Sequence, residues 1–180
     1  YYNRVTKNPD LSAKLWAGVP ESLRTFIVAS MFISAIGYFF FTTNFVLNVN
    51  LEEKKFLGKF PGWTLHIVYL LILIPSALWI DLTFQYLKTG VPLHWVYVLS
   101  ALYCVGLSSI LLFLFVVDSG NTTQSIYLFS VAGAGFFVFH TMFLDGLLWT
   151  IFFHSPFKNF RVENLSEKVC HLVFIFFVNV

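Results

Sequence analysis

The sequence predicts an all-α integral membrane protein with four transmembrane helices in an up-down-up-down bundle. Three observations predict it. Of the 180 residues, 58% are hydrophobic and only 11% charged, against about 25% charged in a soluble domain. Mean hydropathy is +0.77. The apolar residues also arrive in blocks rather than at the period of a half-buried helix or strand, and four blocks reach the roughly 20 residues that cross a bilayer.

The elements follow in order. Residues 1–23 form an N-terminal segment in which "NPDLSAKLWAGVPES" lacks the apolar core of a signal peptide. It reads as a short interfacial helix with Leu11, Leu15 and Trp16 toward lipid or a partner and Lys14 toward water. The first span covers 24–47 and carries Ser30, Ser34 and Gly37 as a ridge of small residues, where a neighbouring helix can come close. "GKFPG" at 58–62 breaks the chain before the second span, 64–87. There Pro75 frees the carbonyl of Leu71, which predicts a kink and a neighbour that satisfies the freed group.

"KTGVP" at 88–92 turns the chain into the third span, 93–117, whose own ridge is Ser100, Cys104 and Ser108. "DSGNTT" at 118–123 leads to the fourth span, 125–153, where "SVAGAG" with Gly133 and Gly135 invites close backbone approach. Short second and third joints make neighbouring helices antiparallel. Residues 154–180 are a tail, polar at first and apolar from Val169 to Val180. As a helix that apolar run covers about 18 Å, too short to span. It is the start of a fifth helix, a re-entrant piece, or a segment lying against another protein. The chain opens without methionine and the apolar run stops at Val180, so one or both ends are expected to be incomplete or processed.

Lysine and arginine set the expected orientation. Arg4, Lys7, Lys14, Arg24, Lys88, Lys158, Arg161 and Lys168 fall on the side of the termini, against Lys54, Lys55 and Lys59 on the other. Both termini are therefore expected on the cytoplasmic, matrix or stromal face, with an organellar inner membrane as one plausible home. Trp16, Trp79, Trp95 and Trp149 gather toward that face, as an interfacial aromatic belt would. The sequon "NTT" at 121–123 lies too near the membrane for glycosylation to be expected, and "NLS" at 164–166 lies on the inner side.

Ionisable residues inside the spans are the candidate functional groups, because a charge at mid-membrane costs about 2.5–3.5 kcal/mol on insertion scales. From the helical rise, Asp81 lies about 25 Å in from the outer face and His140 about 23 Å. Ser30 and Ser100 rise to the same layer, which predicts a hydrogen-bonded set of Asp81, His140, Ser30 and Ser100. The competing reading is a wetted stripe of Asp81, Gln85 and Lys88 at i, i+4, i+7. Asp145, about 30 Å in, is expected at the interface, while His140 needs a partner.

Other chemistries find little support. Haem is not expected, since no two of the histidines share a depth on facing helices. No metal-ligand spacing, no G-x-S-x-G, no H-E-x-x-H and no C-x-x-C occurs. A net charge of +2 gives no ground for a nucleic-acid partner. Cys104 and Cys170 make no disulfide framework. There is no 20–50-residue repeat and no likeness between the halves, so the inverted-repeat transporter plan is unsupported.

The expectation is a non-catalytic accessory subunit of a larger membrane complex, working through helix packing and contacts with bound lipids, cofactors or other subunits. Its Phe content, 23 of 180 residues, suits such contacts. The alternative is a small channel or transporter for protons, ions or a small solute, built on Asp81 and His140.

Overall fold

The computed structural model describes residues 6–7, 9–120 and 125–153. Expectations for the tail 154–180 and for the sequon lie outside the described residues. These residues are 82% helical, and four helices among them are long and apolar enough to cross a membrane.

A short helix, α1 (Pro9–Lys14), precedes the first span, α2 (Glu21–Asn48). A two-stranded antiparallel hairpin follows, β1 (Lys55–Phe56) pairing with β2 (Phe60–Pro61). The second span is α3 (Thr64–Thr89) and the third is α4 (Pro92–Asp118). The fourth begins as α5 (Ser125–Val138), continues as a π-helical segment (Phe139–Trp149) and ends in one turn, α6 (Thr150–Phe152).

Local chemistry sets the joints. Gly90 ends α3 at φ 66, its N–H donating to the carbonyl of Tyr86, because a left-handed helix end favours a residue without Cβ. Pro92 then opens α4, where its missing N–H costs nothing. Pro75 sits inside α3 as expected. The carbonyl of Leu71 that it frees accepts from the Cys104 thiol, at 3.5 Å. A ridge residue of α4 thus supplies the missing donor.

Packing follows small residues. In α2 the buried positions Ile27, Ser30, Ser34, Gly37, Phe41 and Asn44 recur at alternating steps of three and four, a single stripe. That stripe packs on α5, while α4 is clasped between α3 and the fourth span. At the α2–α5 crossing a Cβ on Gly37 would lie 2.7 Å from the Gly133 carbonyl oxygen, and one on Gly133 would lie 2.6 Å from the Gly37 Cα. Only glycine lets these backbones touch. Gly135 is less critical, since a Cβ there would meet the Phe113 ring at an ordinary 3.5 Å. Gly106 of α4, absent from the expected ridges, makes the second close crossing: its Cβ would stand 2.6 Å from Met142 Sδ.

Two apolar clusters fill the interior. One holds Ile27, Ile80, Phe84, Trp95, Leu99, Leu144 and Trp149 together with Leu15 and Val19 of the N-terminal segment. The other gathers Phe41, Phe45, Phe56, Leu65, Ile72, Leu112 and Phe115. The expected tryptophan belt is partly turned inward. Trp95 and Trp149 are each 4% exposed and pack with Phe153 and Tyr86. Indole rings in that cluster gain more contact than they would facing lipid. The N-terminal segment also departs from the expected surface helix. Leu15 is buried and its carbonyl accepts from Trp149 Nε1 at 3.0 Å, so this segment is pinned to the bundle.

Candidate functional site

The polar residues that matter lie where α2 meets the fourth span. His140 is 6% exposed and Ser30 2%. Ser30 Oγ stands 2.7 Å from His140 Nδ1, and the other ring nitrogen, Nε2, faces Asp145 Oδ2 at 3.4 Å. The serine hydroxyl also donates to the Ile27 carbonyl of its own helix at 2.9 Å. Ser30, His140 and Asp145 therefore form one continuous line.

The π-helical segment makes this line possible. In an α-helix each residue turns by about 100°, so residues five apart point about 140° away from each other. Hydrogen bonds from i to i+5 widen the turn and bring such residues nearly above one another. His140 and Asp145 are five apart, and both lie within Phe139–Trp149. The same widened turn aims Thr141 at α4, where its hydroxyl meets Ser109 Oγ at 2.8 Å. Each hydroxyl also reaches a carbonyl of its own helix, Gly106 for Ser109 and Phe137 for Thr141, so one of the two turns its single proton across to the other while its neighbour donates to the backbone. Nearer the hairpin, the Ser130 hydroxyl shares its proton between the Ile126 carbonyl of its own helix, at 2.7 Å, and the Phe40 carbonyl of α2, at 3.0 Å.

Of the four residues expected in one layer, two come together: Ser30 and His140. Ser100 is exposed on the outer face of α4 and takes no part. Its helix turns Ser108 and Ser109 inward instead. Asp81 is half-buried on α3, with Gln85 and Lys88 exposed along the same stripe. The carboxylate across from the His140 ring is that of Asp145. Asp145, expected at the interface, keeps 34% of its side chain accessible while turned toward His140. On the packing ridges, Ser34 and Gly37 are buried with Ser30, Cys104 bonds α3, and Ser108 is buried.

Proton arithmetic limits what this line can do. Ser30 has one hydroxyl proton: when it goes to the Ile27 carbonyl the imidazole donates from Nδ1, and when it goes to Nδ1 the ring carries its own proton on Nε2, toward Asp145. The line ties two helices together through the Ser30–His140 contact, with Asp145 facing the far side of the ring. Serine, histidine and aspartate are also the members of a hydrolytic triad. Here, however, Ser30 is enclosed and its hydroxyl engaged, leaving Oγ no open side toward a substrate.

The remaining described histidines are engaged locally. His66 contacts the Trp63 carbonyl and His94 the Thr89 hydroxyl. Among the described residues no three His, Cys, Asp or Glu side chains are grouped to hold a metal. Ser109, Thr141 and the Asp145 pairing escape sequence reasoning, because spacing by five has no meaning on an ordinary helix. In comparisons with family models, curated proteins and solved structures, no match to this chain was found.

Proposed function

We propose that the chain is a non-catalytic subunit of a larger membrane assembly, stabilising its partners through helix packing and lipid contacts. One observation carries this reading. The polar side chains between the spans bond one another and backbone carbonyls across dry helix contacts: Ser30 to His140, Ser109 to Thr141, and Ser130 to Phe40. A conducting path would keep such groups wet. A scaffold spends them on fixing helices to each other. Three of the four spans also bury only 28% of their most apolar window, which leaves wide outward faces for lipid and partner helices.

The accompanying topology is up-down-up-down, with both termini on the lysine- and arginine-rich face. The grouping of Ile27, Phe84, Trp95 and Trp149 in one cluster, and of Phe41, Leu65 and Phe115 in the other, supports that alternation.

A second reading, a proton or small-solute path, draws on the accessible third of Asp145 at one end of the Ser30–His140 line. Reconstitution of the purified chain in liposomes separates the two. The subunit reading expects proton flux equal to that of empty vesicles, together with loss of one native membrane complex when the gene is deleted in its source cell. Flux that disappears in Asp145→Asn, with all native complexes intact after deletion, would replace it with the path.

A further inference from the structure

The hairpin between α2 and α3 shows a combination that the polar line does not explain. Its base is clamped. Phe56 is fully buried, stacked on Phe115 with ring centroids 4.4 Å apart and edge-on to Phe45. Lys54 meets the Asp118 carboxylate at 3.1 Å and the Asp118 carbonyl at 2.7 Å. The tip opens outward from this clamp, although one side of the Phe60 ring still meets Phe115, with centroids 5.9 Å apart. Leu57, Phe60 and Trp63 are exposed, flanked by exposed Lys55 and Lys59, with exposed Glu52 and Glu53 on the preceding turn.

The backbone makes Leu57 stranger still. It stands at φ 53, the one non-glycine residue at positive φ among the described residues, followed by Gly58 at φ 69. Lys59 N–H closes the turn on the Phe56 carbonyl at 3.1 Å. Two successive positive φ values are the type I′ pattern, which favours asparagine and glycine. A branched apolar side chain there is strained, and surrounding it with water adds a hydration penalty.

We propose that this tip is a membrane-interface anchor. Leu57, Phe60 and Trp63 enter the boundary between headgroups and acyl chains of the phospholipid leaflet that α2 and α3 cross. Lys55 and Lys59 reach outward among the lipid phosphates. Three features favour a lipid leaflet as the occupant. The hairpin spans only the gap between the last residue of α2, Asn48, and the first of α3, Thr64, so it lies at the membrane surface. Trp63 stands immediately before the span, where indole rings concentrate at bilayer interfaces. Lysine stems cover apolar surface while their ammonium groups seek anions, and Lys54 is already committed to Asp118, leaving Lys55 and Lys59 for the phosphates. The inference stands on the membrane location and not on the subunit reading.

The test places spin labels on the full chain, with Cys104→Ser and Cys170→Ser, in nanodiscs of phosphatidylcholine and phosphatidylglycerol. Labels at Phe60→Cys and, for reference, Glu53→Cys are compared by collision with oxygen, which favours the bilayer, and with a nickel chelate, which favours water. The anchor expects the label at 60 to meet oxygen and avoid the chelate, and the label at 53 to do the reverse. A label at 60 as open to the chelate as the one at 53 overturns it. So does a label at 60 shielded from both, which would report a protein contact in the lipid's place. Leu57→Asn suits the positive φ, so helix content by circular dichroism should persist. In that variant the label at 60 should shift toward the chelate, and no shift would remove Leu57 as an anchor.

Discussion

Gly37→Ala should force α2 and α5 apart, and the structure allows the cost to be worked through. A Cβ at this position lies 2.7–2.9 Å from three backbone atoms of Gly133, where carbon contacts relax only at about 3.5–4.0 Å. Backbone atoms cannot swing aside as a side chain would, so the helices must part by about 1 Å. That displacement stretches the Ser30–His140 bond from 2.7 Å and the Ser130–Phe40 bond from 3.0 Å beyond hydrogen-bonding range. Interhelical hydrogen bonds in membranes average about 0.6 kcal/mol each, so two contribute about 1.2 kcal/mol. Overpacking adds about 1–3 kcal/mol, and alanine's better helix propensity returns about 1 kcal/mol. The expected net loss is therefore about 1–3 kcal/mol. Unfolding in mixed micelles with rising dodecyl sulfate, followed by far-ultraviolet circular dichroism, measures it. The comparison is Gly135→Ala, whose Cβ meets the Phe113 ring at 3.5 Å, and which should be neutral or slightly stabilising. Equal stability of the two variants would refute the reasoning about the crossing.

Three further predictions use the same assay. His140→Ala leaves the Asp145 carboxyl without its ring partner and Ser30 Oγ without the Nδ1 contact, with a loss of about 1–3 kcal/mol; a change under about 0.5 kcal/mol would mean the line adds nothing to cohesion. Cys104→Ala removes the thiol that serves the Leu71 carbonyl and should cost about 1 kcal/mol or less; in a Pro75→Ala background, where residue 75 regains its own N–H, that cost should vanish, and an unchanged cost would contradict the pairing. Leu57→Gly relieves a positive φ and should stabilise the micelle-solubilised protein by about 1 kcal/mol; destabilisation would show that the leucine side chain contributes more than its backbone strain takes away.

The helical layout is legible in the sequence to within a few residues at each end of the spans. Expected spans 24–47, 64–87, 93–117 and 125–153 correspond to Glu21–Asn48, Thr64–Thr89, Pro92–Asp118 and Ser125–Phe152. Long apolar blocks separated by Gly, Pro and Asp leave few alternatives. Backbone chemistry is legible too: Pro75 implies a vacant Leu71 carbonyl wherever the helix runs, and the small residues of α2 imply a crossing.

Side-chain partners across the bundle are harder to read. Depth alone puts Asp81, Ser100 and His140 in one layer, but depth says nothing of rotation about the helix axis. Ser100 faces outward for that reason. The His140–Asp145 pairing is not legible at α-helical spacing, under which a residue five positions on lies on another face. A π-helical stretch has no composition that announces it. At the hairpin, Gly58 of "GKFPG" marks a break in the chain, but Leu57 beside it gives no sign of a second positive φ, so the two-strand pairing is not legible.

Work inside a larger assembly is the proposed role of this chain. The most direct test is its native mass after extraction from the source membrane in a mild detergent, with mass spectrometry of the proteins that co-migrate. The account predicts migration within a multi-protein particle of constant composition, several times larger than the 20.7 kDa chain. Migration as a monomer or small homo-oligomer, with no companion proteins, would contradict it.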